Sequence, residues 1–300
     1  MHAHGLLRRL RCHARAGLGN VPAVTPPIDA TTLRRLLRHE AEVHAIPGRE
    51  LRDLGDSLLL YDPVDPEPFW NRVEGVCWPS EATAFDRRLG EVGILFASIG
   101  RQPHIWLAPP HDEPADLAAR LLANGFEDMG KGLLMITRDD EPARAVIAVP
   151  LDRGTTLERL SGIEGPAAEA LAEAIVLVLF DAFGVGEARR PGIAAETMAS
   201  LADPRFVHYL VRRGGEPVAV ARRATFDGLS YLSSIGTVER ERGRGFGRLV
   251  TAQAVVDALD ARSAWVHLGV FADNPPAIAL YERLGFVMSG EPGPDMVLVG

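Results

Sequence analysis

The sequence predicts an α/β (α+β) protein built on a mixed sheet flanked by helices, and three observations carry that expectation. Short runs rich in β-formers alternate with longer segments of helical period. Strand pairs in the middle of the chain are spaced like hairpins. Apolar residues make up 47% of the 300 residues, ample material for buried cores.

Taken in order, Thr31–Val43 reads as a helix with Leu33, Leu36 and Leu37 on one face, opened by Asp29 and the threonines after it. Ser57–Tyr61 reads as a strand before the proline-rich turn Asp62–Pro68, and Gly93–Ala97 and His104–Leu107 are two more strand candidates. Asp116–Ala123 is an amphipathic helix ended by Asn124-Gly125, and Leu133–Thr137 a strand. The charged stretch Arg138–Arg144, with Pro142 inside it, is the best domain boundary. Beyond it follow a strand at Val146–Val149, helices at Pro166–Phe183 and Ile193–Leu201, and strands at Val207–Val211, Pro217–Arg222 and Ser230–Val238. A helix from about Gly245 to Arg262, the strand Trp265–Phe271, the helix Pro275–Arg283 and the strand Met296–Val299 complete the chain. The expected organisation is a basic tail over residues 1–28, an N-terminal domain over 29–144 and a C-terminal domain over 145–300.

The tail carries Arg8, Arg9, Arg11 and Arg15 and no acid before Asp29. That resembles a transit peptide, but the apolar core of a secretory signal is missing, and a solvated, frayed end is the simpler expectation. His2 and His4 lack a second pair of ligands, so no metal is expected there. A net charge of −8 argues against a nucleic-acid binder, and no apolar run is long enough to span a membrane. Two cysteines, Cys12 and Cys77, make no disulfide framework, which suits a reducing cytoplasm. Composition leaves a homodimer open.

Leu117–Thr137 and Ile278–Val299 share a helix, a Gly-Phe pair, a glycine four residues after the Phe and a Met-bearing apolar strand. Gly125-Phe126 corresponds to Gly285-Phe286, and Gly130 to Gly290. The match predicts two copies of one fold in tandem.

The chemistry is concentrated in Ser230–Leu259, a strand, a turn rich in glycine and arginine, and a helix. Gly243, Gly245 and Gly247 let the backbone turn tightly, and their N–H groups with the first helical turn converge on one spot suited to a diphosphate. Arg242, Arg244 and Arg248 add positive charge nearby. An ATP or GTP loop would need Gly-Lys-Ser/Thr, whereas Gly247 is followed by Arg248 and Leu249. The dinucleotide fingerprint fails on its glycine interval. What fits is Arg-x-x-Gly-x-Gly, met by Arg242, Gly245 and Gly247. Asn274-Pro-Pro-Ala-Ile-Ala-Leu-Tyr281-Glu-Arg-Leu-Gly285-Phe286 follows about thirty residues later, an Asn and then a Tyr on a helix ending in Gly-Phe.

By these two motifs in this order, residues from about Val146 to Gly300 resemble the Gcn5-related N-acetyltransferase (GNAT) family. The resemblance implies a mixed, mostly antiparallel sheet, with acetyl-CoA as acyl donor, an amine as acceptor and no metal. It implies that Arg242, Gly243, Arg244, Gly245, Phe246, Gly247 and Arg248 hold the diphosphate. The pantetheine arm would lie on Ile235, Gly236, Thr237 and Val238, where the strand splays from its neighbour. Tyr281 would be the catalytic acid and a cofactor contact, and Asn274 a pantetheine contact, a helix cap, or both. Glu239 stands where the family usually has proline. Glu239, Glu241, His208 and His267 fit surface partners or satisfied strand residues better than a general base, which stays unassigned. Leu121 takes the place of Tyr281 in the first copy, which also lacks the loop, so that copy is expected to be degenerate. The implied activity is direct acetyl transfer to an amine of a small molecule or peptide. The alternative is a non-catalytic acyl-CoA binding or sensing module.

Overall fold

Residues 28–109 and 111–299 are described by a computed structural model of the chain. The tail over 1–28, with His2, His4 and Cys12, lies outside the described residues but for Ile28. The first half contains α1 (Ala30–Ala45), β1 (Glu50–Asp53), β2 (Leu58–Tyr61), β3 (Arg72–Glu74), α2 (Ala82–Ser98), β4 (His104–Trp106), α3 (Leu117–Ala123) and β5 (Phe126–Thr137). The second begins with α4 (Glu141–Ile147) and β6 (Thr155–Leu160), followed by α5 (Pro166–Phe183), α6 (Arg190–Ala202), β7 (Phe206–Arg213), β8 (Glu216–Phe226) and β9 (Leu229–Thr237). It ends with α7 (Phe246–Asp260), β10 (Trp265–Phe271), α8 (Pro275–Glu282), β11 (Val287–Met288) and β12 (Gly293–Leu298). No described helix is long and apolar enough to cross a membrane.

The strands form one mixed, mostly antiparallel sheet in the order β1-β2-β3-β4-β12-β5-β10-β9-β8-β7-β6, with β11 added against β5. From its middle the sheet reads alike in both directions. β12 and β5 pair antiparallel at the centre. Outward from them, β4 lies antiparallel to β12 and parallel to β3, while β10 lies antiparallel to β5 and parallel to β9. In each half a strand, a helix and a parallel strand (β3-α2-β4 and β9-α7-β10) are followed by a short helix and a last strand. That last strand crosses over. β5 of the first half borders β10 of the second, and β12 of the second borders β4 of the first.

The cores follow the exchange. Met135 of β5 is buried with Val250, Leu268 and Leu284 of the second half. Met296 of β12 is buried with Val73, Phe96, Ile105 and Leu121 of the first.

Two expected strands are helices. Gly93–Ala97 lies in α2, where Phe85, Val92 and Phe96 are buried at helical spacing and Gly93 packs on nothing. Val146–Val149 overlaps α4, opened by Pro142 in its first turn, with Ala143 buried and Val146 and Ile147 packed on the larger core. The expected boundary at residue 144 therefore falls within a helix, whose Arg144 is paired with Asp260 of α7. Short runs gave too little signal for β1, β3, β6 and β11.

The exchange predicts that residues 145–300 expressed alone lack the strand that covers β10. That fragment should be insoluble or molten by near-ultraviolet circular dichroism, and co-expression with residues 28–144 should recover it as a stable pair. A cooperatively folded lone fragment would contradict this account.

Candidate active site

The site is built where β9 separates from β10. Their rungs stop at His267↔Tyr231, although β9 continues to Thr237 and β10 to Phe271. On its other edge β9 stays paired with β8, but the register shifts between Val220 and Arg222. Ser234 there has φ of 52°, so Ser234 and Ile235 together face Ala221. A bulge of this kind bends the strand and increases its twist, which opens it from β10. Backbone groups of β9 beyond Tyr231 are thereby left without a ladder partner on that side. Gly236 is buried against α5, where a Cβ would stand 2.9 Å from the Ala182 methyl.

The loop after β9 turns through Gly243 (φ 76°) and Gly245 (φ 86°), a left-handed conformation that disfavours other residues. Gly245 caps α7 without a side chain. The first intrahelical bond runs from the Leu249 amide to the Gly245 carbonyl. From Gly243 through Arg248, no backbone amide donates to a described residue. Phe246 turns its ring into the core and contributes only its amide. At Gly247 a Cβ would come to 3.0 Å from Thr237 Oγ1 and 3.6 Å from Leu280 Cδ1, so loop, β9 and α8 meet closely.

The arginines divide. Arg242 donates to the Ala182 carbonyl at 2.9 Å and reaches the Thr237 carbonyl, tying the loop to the end of α5. Arg244 pairs with Glu241 at 3.2 Å, and Glu241 also holds Arg213. Arg248 is exposed and has no ion-pair partner among the described residues. Glu239 is exposed, and its amide is bound by Asp181.

Asn274 caps α8, accepting the Ala277 amide at 3.3 Å. Tyr281, the second-to-last residue of that helix, is buried against Phe286. Burial pushes its phenol up to about 12, so it is protonated at neutral pH. Its hydroxyl has no hydrogen bond to a described residue.

The equivalent places in the first half are filled. Leu121 is buried in the smaller core. The Glu81 carboxylate accepts the Thr83 and Ala84 amides at 2.9 and 2.7 Å, occupying the amides that are bare at the start of α7.

His208 is bonded to Ser200 at 2.8 Å. His267, in contrast, belongs to a buried polar cluster that local sequence did not reveal. It bonds His39 at 2.9 Å, beside Glu40, which accepts the Tyr231 hydroxyl at 3.1 Å. Around Glu40 stand His44 at 3.6 Å and Arg72 at 3.9 Å, and Arg72 is paired with Glu74 at 2.6 Å.

An opened parallel strand pair followed by a glycine loop and a helix is the arrangement of the GNAT fold. Residues 173–286 match the model of the Acetyltransferase (GNAT) family. Among solved structures, a GCN5-related N-acetyltransferase from Kribbella flavida superposes with a TM-score of 0.65 at 22% identity, covering 92% of this chain and 97% of that one. A tandem GNAT protein from the clavulanic acid biosynthesis pathway superposes at 0.58 and 15% identity, covering 92% and 89%. Both share the fold across the two halves. A mycothiol acetyltransferase from Corynebacterium kroppenstedtii is 43% identical over 54 residues, 18% of this chain and only 15% of that protein.

The buried histidines make acid stability a test of the site's interior. Burial pushes His39 and His44 down to about 4, and His208 and His267 to about 3. Below about pH 6.5 the unfolded chain gains protons that the folded one refuses, so stability is full above that pH and falls as acid is added. Each histidine contributes a slope of about 1.4 kcal/mol per pH unit. The melting temperature should be flat from pH 7 to 8 and drop steeply from pH 6 to 4.5; a flat profile down to pH 5 would mean these rings are not held neutral.

Proposed function

We propose that the protein is an acetyl-CoA-dependent N-acetyltransferase that passes the acetyl group directly to an amine of a small molecule or peptide. The observation that supports it most is the run of unpaired amides from Gly243 through Arg248 at the foot of an opened strand. Such amides at a helix start bind a diphosphate, and no side chain blocks them. Arg248 adds charge from the side. The pantetheine arm runs along Ile235, Gly236, Thr237 and Val238, bonding groups that β10 has released, with Asn274 bordering the path.

The neutral amine nitrogen attacks the thioester carbonyl, a C–N bond forms and the C–S bond breaks. The Tyr281 phenol gives its proton, or first its hydrogen bond, to the departing thiolate, and the amine's extra proton goes to solvent. A phenol near 12 is a weak acid toward a free thiol near 8.5, but the same apolar surroundings raise the thiol as well. Cys77 is free and exposed in the first half, and no covalent acyl-enzyme step is assigned to it.

Calorimetry with acetyl-CoA tests the donor site. Gly247→Val should weaken binding by more than about 30-fold while leaving the protein folded, because the new side chain crowds Thr237 and stands over the amides. No heat with the unaltered protein would end the proposal.

Release of coenzyme A with a panel of amines separates an enzyme from a sensing module. Tyr281→Phe should then lower kcat about 100-fold with the KM for acetyl-CoA nearly unchanged. An unchanged kcat at saturating acceptor would remove Tyr281 from the acid's role.

A further inference from the structure

A cleft on the face of the sheet that carries α1 lies between α1, β4, β5, β10 and the segment 289–293. Leu33, Leu37, Trp106, Leu133 and Leu134 give it a mostly apolar lining, with Ser289 and Glu291 on the 289–293 side. Two glycines that face each other across β5 and β12 let its aromatic wall lie close. At Gly132 a Cβ would stand 2.3 Å from the Trp106 ring, and at Gly293 it would meet the Leu107 carbonyl. No Lys or Arg lines the described part of the cleft.

Glu40 lines the inner end of this mostly apolar space. Its Oε1 is taken by the Tyr231 hydroxyl and lies nearest to His44 and Arg72, whereas Oε2 accepts no hydrogen bond from a described residue. Arg72 is committed to Glu74, so Glu40 shares that one cation with a second buried carboxyl group. A carboxylate in a mostly apolar cleft is costly unless a cation meets it. Gly269 opens the way from this carboxylate to the splayed strands. A Cβ there would stand 3.4 Å from the Tyr231 hydroxyl and 3.6 Å from Glu40 Oε1, and Gly269 lies two residues past the last β9–β10 rung.

We propose that this cleft takes the acceptor, a primary amine on an apolar aliphatic or aromatic body, and that Glu40 anchors its ammonium beside the opening of β9 and β10, the ammonium releasing one proton to solvent before the neutral nitrogen attacks. The inference rests on reading that opening as the thioester's place. Glu40 is an anchor and not the base. Burial alone would raise its carboxyl, but the His44 contact and Arg72 outweigh it and hold it at about 2, far too weak to take a proton from an ammonium. Acceptors with a carboxylate of their own meet like charge, and polyhydroxylated amines leave their hydroxyls against apolar walls.

Steady-state kinetics on phenethylamine, hexylamine, glycine and glucosamine at saturating acetyl-CoA test this. Phenethylamine or hexylamine should exceed glycine and glucosamine in kcat/KM by about 30-fold or more. Glu40→Gln should raise the phenethylamine KM about tenfold or more, with the acetyl-CoA dissociation constant within about twofold. Should that variant not fold, Leu37→Lys, at a half-buried cleft position outside the ion pairs, should raise the same KM by repelling the cation. Equal or better use of glycine or glucosamine, or an unchanged KM in the folded variants, overturns the inference. Calorimetry of phenethylamine alone and of acetyl-CoA alone separates the two readings. A protein that binds the donor but not the apolar amine refutes only the acceptor cleft, and one that binds neither refutes both.

Discussion

The antiparallel contact between β5 and β12 is the constraint on which the rest of the molecule depends. Each strand is the last of its half, and each lies on the far side of the other, so that the sheet closes only when both halves are present. Strand pairing supplies the backbone partners of β10 and β4, and the side chains of Met135 and Met296 complete the opposite cores. An edge left bare on β10 would offer unpaired amides and carbonyls at the border of the splay itself. The opening between β9 and β10 therefore has one rigid wall because the first half provides it.

The two halves share this scaffold and differ at the start of α2 and α7. In the second, Gly245 begins α7 with nothing over the amides. In the first, Glu81 begins α2 with a carboxylate bound to two of them. A carboxylate at that position is favourable to the helix dipole and excludes a diphosphate from the same donors. Leu121 packs in the smaller core, whereas Tyr281 brings a phenol into the larger one beside Phe286. One half caps its helix with a carboxylate and the other begins its helix on free amides.

How much was legible in the sequence follows from how local each signal is. The Arg242–Gly247 loop, the Asn274 cap and the Gly285-Phe286 turn are set by glycine conformations and caps within a few residues, and they stand where the sequence placed them. The tandem arrangement showed through Gly125-Phe126 and Gly285-Phe286 for the same reason. The three residues of β3 are too short for alternation to register well, and the apolar run Gly93–Ala97 resembles a strand although it continues the buried stripe of α2. The strand exchange has no local signature, because the repeat predicts two similar units and not which neighbour each final strand adopts. Tyr231 and Glu40 are 191 residues apart, and nothing near either one announces the other.

The seam between the halves is polar where the cores are not, and this bears on how accurately Glu40 can be placed. Glu196 of α6 is held by Arg49 of the first half and Arg222 of β8, each at 2.7 Å, and Arg49 stacks on Trp70 with 3.6 Å from guanidinium carbon to ring centre. Arg189 crosses to Asp65 at 2.9 Å, and His104 of β4 bonds Asp295 of β12. Buried pairs of this kind add little net stability over apolar packing, but removing one partner costs about 3–5 kcal/mol because the other is stranded. Apolar surfaces can slide past one another at small cost, whereas such a seam penalises each displacement of α1 against the sheet. The first half, without a phosphate loop of its own, thus supplies a fixed carboxylate at a fixed distance from the splayed strands, which a second half on its own would lack.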